Sequence, residues 1–159
     1  MCIRDRSSID FQNLLVWLKK GNSQASKISK SFKSNITTDI SGFGLASHLS
    51  DICKSSKLSA EIKLNKEILI NKNIEILENF KSTGFDNNYS STVNEILISD
   101  SNKLKNILYD PQTNGPLLLS IHEKDQIEFE KKFQLNLGFR PILLGKFKKS
   151  EDKLINVID

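Results

Sequence analysis

Apolar positions along this chain change period repeatedly, and each change marks a predicted element. Phe11, Leu14, Leu15 and Leu18 recur at helical spacing, as do Ala25, Ile28 and Phe32. Residues 11–32 therefore read as helix in two pieces, broken at Gly21-Asn22-Ser23, with Ser23 positioned to cap the second. Residues 36–40 read as a short strand. Leu45, Leu49, Ile52 and Cys53 then predict a clear amphipathic helix, whose Lys54 and Lys57 suit the negative end of its dipole. Residues 60–64 alternate like a half-buried strand, and residues 67–80 read as helix with Ile70, Ile74, Ile76 and Leu77 inward.

The Ser-, Asn- and Gly-rich residues 81–92 read as loop. Residues 95–99 and 106–109 read as short strands about a turn at Asp100-Ser101-Asn102. The apolar run 117–121 reads as a central strand and residues 123–134 as a helix burying Ile127, Phe129 and Phe133. Residues 141–147 and 153–158 close the chain as strands. This order predicts an α+β fold, a mixed β-sheet with helices packed on one face.

Composition narrows the partners. The chain has 159 residues, 38% hydrophobic and 26% charged, with a net charge of +4 spread along its length. That is material for one domain with a real core. No dense basic block points to nucleic acid, and no apolar run is long enough to cross a membrane. Cys2 and Cys53 lack metal-type spacing and read as reduced thiols in a cytoplasmic setting, Cys53 buried on its helix. With no secretion signal, the glycosylation-type triplets at Asn35 and Asn88 read as chance. Residues 1–6 hold two of the three arginines and differ in composition from the rest. They read as a non-native scar before a single domain at residues 7–159, a fragment whose N-terminal part is missing.

Candidate chemistry sits in two loops. In Thr38-Asp39-Ile40-Ser41-Gly42-Phe43-Gly44, a carboxylate ends a strand before a glycine turn and a helix start, a place where proteins bind metals and phosphates. An ordinary turn or capping carboxylate is the other reading of Asp39. Asp110-Pro111-Gln112-Thr113-Asn114-Gly115-Pro116 is a rigid polar loop entering an apolar strand. His48 reads as structural, His122 as surface, and the lysines of residues 146–153 as a solvated edge.

Taken together, these loops resemble a known family. Residues 38–45 with His48-Leu49 are similar to the TDVTGFGLLGHL stretch of selenophosphate synthetases (selenide, water dikinases), and residues 110–118 to that family's DPQTSGGLL. Asn22 and Ala25 resemble its N-x-x-A helix, and Leu144-Gly145-Lys146-Phe147 its closing strand. Ser41 keeps the hydroxyl of the family threonine, Ser47 replaces a helix glycine, and Pro116 stands at the second glycine, removing an N–H and fixing φ.

The resemblance is to the C-terminal half, an α+β domain of the aminoimidazole ribonucleotide synthetase-like type. It implies a part of an enzyme converting ATP, selenide and water to selenophosphate, AMP and phosphate. No catalytic residue is expected in this chain. Asp39 would be one Mg²⁺ ligand, and Thr38, Gly42, Phe43, Gly44, Asn114 and Gly115 the edge facing phosphate and nucleotide. The implied partners are the N-terminal half, a second copy in a homodimer, and small-molecule substrates. Alone, the chain is expected to fold and be inactive. Two alternatives stand beside this reading: a stand-alone non-catalytic binding domain, and a related purine- or thiamine-pathway synthetase domain.

Overall fold

The computed structural model describes residues 8–34, 36–69 and 81–158. Helices α1 (Ser8–Leu18) and α2 (Ser23–Ser31) precede strand β1 (Ile36–Asp39), helix α3 (Gly44–Ser56) and strand β2 (Leu58–Lys63). Helix α4 (Phe85–Thr92), β3 (Ile96–Leu97), β4 (Leu117–Ser120), α5 (Gln126–Leu137), β5 (Gly145–Lys149) and β6 (Ile155–Ile158) follow. The class is α+β, as expected, but among the described residues the strands form two sheets. One is mixed, in the order β3-β6-β2-β5, with β2 parallel to β6 and antiparallel to β5. The other is the antiparallel pair β1–β4, in which Asp39 lies opposite Leu117.

Each sheet has its own core. α3 buries Leu45, Ala46, Leu49 and Cys53, one face at helical period, against Ala60 and Ile62 of β2 and Ile155 of β6. Cys53 is fully buried, as expected, and burial pushes its thiol up. Ala25 and Ile28 of α2 meet Phe129 and Phe133 of α5, four residues apart on one helix face, beside Leu117 and Leu119 of β4. α5 stops at Gly138, which takes the left-handed φ of +77°.

Several expectations change here. Residues 81–92 are not all loop: α4 forms because Phe85, Asn88 and Thr92 fall on one face and are buried, a spacing masked by polar composition. The expected strand at 106–109 is a 3₁₀ turn, Lys105–Leu108, since a short apolar run does not distinguish strand from buried turn. Ile127 is exposed, because the packed stripe runs through Phe129 and Phe133. Strand β5, paired with β2, starts at Gly145 rather than 141. Residues 117–121 give a strand of a two-stranded sheet rather than a central one. Of the helix expected at 67–80, the described part is a 3₁₀ turn, Lys66–Ile68, and Ile70, Ile74, Ile76 and Leu77 lie outside the described residues.

Glu61 of β2 faces two cations of β5. Lys148 hydrogen-bonds one carboxylate oxygen and Lys146 stands 3.5 Å from the other. The Lys148 hydrogen bond, with charge attraction from both lysines, holds Glu61 below the usual value of 4.5. A carboxylate lowered on folding stabilises fully above its ordinary value and loses that contribution as pH falls through the native one. Acid unfolding monitored by circular dichroism should therefore show Glu61→Gln losing less stability below pH 4.5 than the parent. Leu108 has no exposed surface. Leu108→Ala should cost about 2–5 kcal/mol in urea unfolding, the cost of a core cavity.

Candidate functional site

Two loops meet through their backbones. The Ile40 N–H donates to the Pro116 carbonyl at 3.0 Å, and the Gln112 N–H to the Ser41 carbonyl at 3.1 Å. Gly115 lies so close to Ile40 that a Cβ there would collide with the Ile40 carbonyl oxygen. That approach, rather than an unusual φ, is why position 115 needs glycine. Gly44 needs it for both reasons: its φ is +75°, and a Cβ would come 2.9 Å from the Leu108 carbonyl oxygen.

Side chains complete the clamp. Asn88, buried on α4, donates its amide to the carbonyls of Gly42 at 2.9 Å and Tyr109 at 3.0 Å, tying the first loop to the approach of the second. His48 Nε2 accepts the Ser41 N–H at 3.1 Å, so its proton sits on Nδ1, and the Ser41 hydroxyl lies 3.1 Å from the same nitrogen. Asp110 accepts from the Ser82 hydroxyl and the Gln112 amide, both at 2.8 Å. Tyr109 beside it is buried against Tyr89, and burial with that neighbour pushes its phenol up to about 12. Sequence reasoning passed over Asn88 because its polar segment read as loop; the Phe85, Asn88, Thr92 spacing was the available signal.

Asp39 stands at the open end of β1, exposed, with no hydrogen bond or ion pair to its carboxylate among the described residues. It lines a shallow, solvent-open cleft of about 400 Å³ with Asn22, Ser26, Thr38 and Asn114. A larger groove runs past β4, α5 and residues 141–147, but Asp39 does not line it. The structure thus gathers Thr38, Asp39 and Asn114 at one cleft and leaves Gly42, Phe43, Gly44 and Gly115 off its wall.

The Asn114 amide donates to the Leu18 and Lys20 carbonyls at 2.6 and 3.1 Å, closing the C-terminal end of α1 from a left-handed φ of +51°. Asn22 donates to the Gly115 carbonyl at 3.0 Å, so α2 is tied to the same loop. Among the described residues no three His, Cys, Asp or Glu side chains cluster to hold a metal. A hard metal ion at Asp39 would find one carboxylate there and would need its other ligands from outside this set.

Residues 22–137 match the family described as AIR synthase related protein, C-terminal domain. The chain is 32% identical over 140 residues to a selenide, water dikinase of Clostridioides difficile (strain 630), covering 86% of this chain and 40% of that protein. It is 36% identical over 125 residues to one from Shewanella sp. (strain MR-7), covering 78% and 35%. A Haemophilus ducreyi selenide, water dikinase is 36% identical over 121 residues, covering 74% and 34%. The chain spans between about a third and two fifths of the length of the relatives it matches. No described helix is long and apolar enough to cross a membrane.

Asn88→Ala would strip two carbonyls of a buried donor, which costs about 1–3 kcal/mol for each group left unpaired. Thermal unfolding should show a clear loss of stability for Asn88→Ala, and none should follow from Asn87→Ala on the exposed side of α4.

Proposed function

The chain belongs to the family of AIR synthase related C-terminal domains, as a selenophosphate synthetase-like member, and from that membership we propose that it is the C-terminal part of a selenide, water dikinase. The whole reaction on this reading converts ATP, selenide and water to selenophosphate, AMP and phosphate. The observation that carries the proposal is Asp39: an unpaired carboxylate at a strand end, on a loop pinned by a second loop of the same family pattern.

A single carboxylate fits Mg²⁺ well. The ion takes one or two carboxylates, keeps several waters, and fills its octahedron with substrate phosphates. Bound there, it would neutralise charge on the phosphates during transfer. Asp39 supplies one oxygen from the end of β1. The clamp through Ile40, Gln112, Gly115 and Asn88 fixes the backbone that follows Asp39, so only the carboxylate side chain remains to be ordered on binding. Thr38 borders the cleft beside it. Gly42, Gly44 and Gly115 serve through their backbones, which set the path of the turn. Asn114 acts from the loop's other side by fixing α1.

The remaining ligands, the nucleophile and most of the nucleotide site then belong to an N-terminal half, within a homodimeric cytoplasmic enzyme. This domain acts by closing onto that half rather than by carrying the chemistry. Mixed with ATP, selenide and Mg²⁺, this chain alone should release no AMP above background, and turnover would overturn the reading. In a full-length protein carrying this domain, Asp39→Asn should lower kcat about a hundredfold and raise the Mg²⁺ requirement, the scale expected when one charge-stabilising group is removed. An unchanged rate and Mg²⁺ dependence would remove Asp39 from the metal.

A further inference from the structure

We infer that the outer surface of the glycine turn, centred on Gly42 and Phe43, is a protein docking face for the N-terminal half of a selenide, water dikinase. Resting on the proposed function, this adds an apolar contact separate from the Asp39 ligand.

Phe43 is 68% exposed, the most exposed aromatic side chain among the described residues. Among the described residues it makes no ring contact with another aromatic, whereas Phe85 and Tyr89 both pack on Tyr109. The turn that presents it is rigid: Ser41 is held by His48 and Gln112, the Gly42 carbonyl by Asn88, and Gly44 by its N–H to the Ser41 carbonyl. A large apolar group on a fixed pedestal contributes nothing to this core and loses little freedom when covered. Those are the properties of an interface anchor.

Gly42 gives an independent indication. Unlike Gly44 and Gly115, it has neither a left-handed φ nor any atom within 4 Å of the position a Cβ would take. Among the described residues nothing requires glycine there. Bare backbone beside an exposed phenyl suits close approach from outside.

The occupant follows from Asp39. Its missing co-ligands must come within about 2 Å of a shared ion, so their carrier comes against this loop. Phe43 lies four residues on, at most about 14 Å of extended chain away. A standard interface, about 800 Å² on each partner, is wider than that. The relatives carry roughly three fifths of their length outside the stretch this chain matches, enough to supply such a partner.

The test titrates this chain, fluorescently labelled, with the N-terminal segment of the C. difficile selenide, water dikinase that lies outside the match. Anisotropy would be followed with EDTA, and again with Mg²⁺ and ATP. Binding in EDTA should weaken at least about tenfold with Phe43→Ser and with Gly42→Leu. Leu135→Ser, at an exposed α5 position, should leave it unchanged. Melting temperatures of Phe43→Ser and Leu135→Ser should match the parent, which separates docking from folding.

No binding, or equal affinity for Phe43→Ser and parent, overturns the inference. Asp39→Asn should matter only with Mg²⁺ and ATP. If Phe43→Ser weakens docking while Asp39→Asn changes nothing in either condition, the docking face stands and the metal role falls. The reverse pattern removes the docking face and keeps the metal role.

Discussion

The close backbone approach between Ile40 and residues 115–116 is the constraint on which the rest depends. One hydrogen bond, Ile40 N–H to Pro116 carbonyl, and one steric requirement, no Cβ at Gly115, fix the distance between the two loops. Because Pro116 contributes only its carbonyl, the missing N–H at that position costs nothing in this contact. From there the register of β1 on β4 follows, with Asp39 opposite Leu117. The exposed carboxylate is therefore placed by buried backbone contacts, not by bonds of its own.

Around that contact the molecule spends polar side chains on loops, Asn88 buried and the others more open. Asn88, His48, Asp110, Asn114 and Asn22 all point their hydrogen bonds at loop backbone or at side chains of the same loop system. Buried carbonyls without donors are costly, so each of these residues both stabilises the turn and makes its geometry singular. The result is a rigid edge on a domain whose two cores lie elsewhere, under α3 and between α2 and α5. On the proposed reading this rigidity has a use: a loop that would meet ligands carried by another part of a protein gains from a backbone fixed beforehand.

The charged surface plays a different part. Glu61 with Lys146 and Lys148, and Lys54 with Glu95, are pairs on or between outer elements. Burial raises the Glu95 carboxyl, but the hydrogen bond and charge of Lys54, 2.5 Å away, pull it the other way, and it ends below the usual range. Exposed pairs of this kind add little stability each, but lysines along β5 keep an edge strand from pairing with another chain. They do not touch the Asp39 cleft.

Much of this was legible in the residues. Helical spacing marked α2 and α3, alternation marked β2, and the two motif loops marked the place where a carboxylate meets a glycine turn, because those signals are local and set by backbone periodicity and turn chemistry. Family membership was readable from the same loops, since their residues answer to backbone geometry. What tertiary structure alone decided was longer in range. It made a helix of the polar residues 85–92 by burying Asn88 and Thr92, turned 105–108 into a 3₁₀ turn, and divided the strands into two sheets. It also gave Asn114 to α1 and left Phe43 in solvent. Each of these depends on which distant group supplies a partner, and a polar side chain carries no mark in sequence of the carbonyl it will meet.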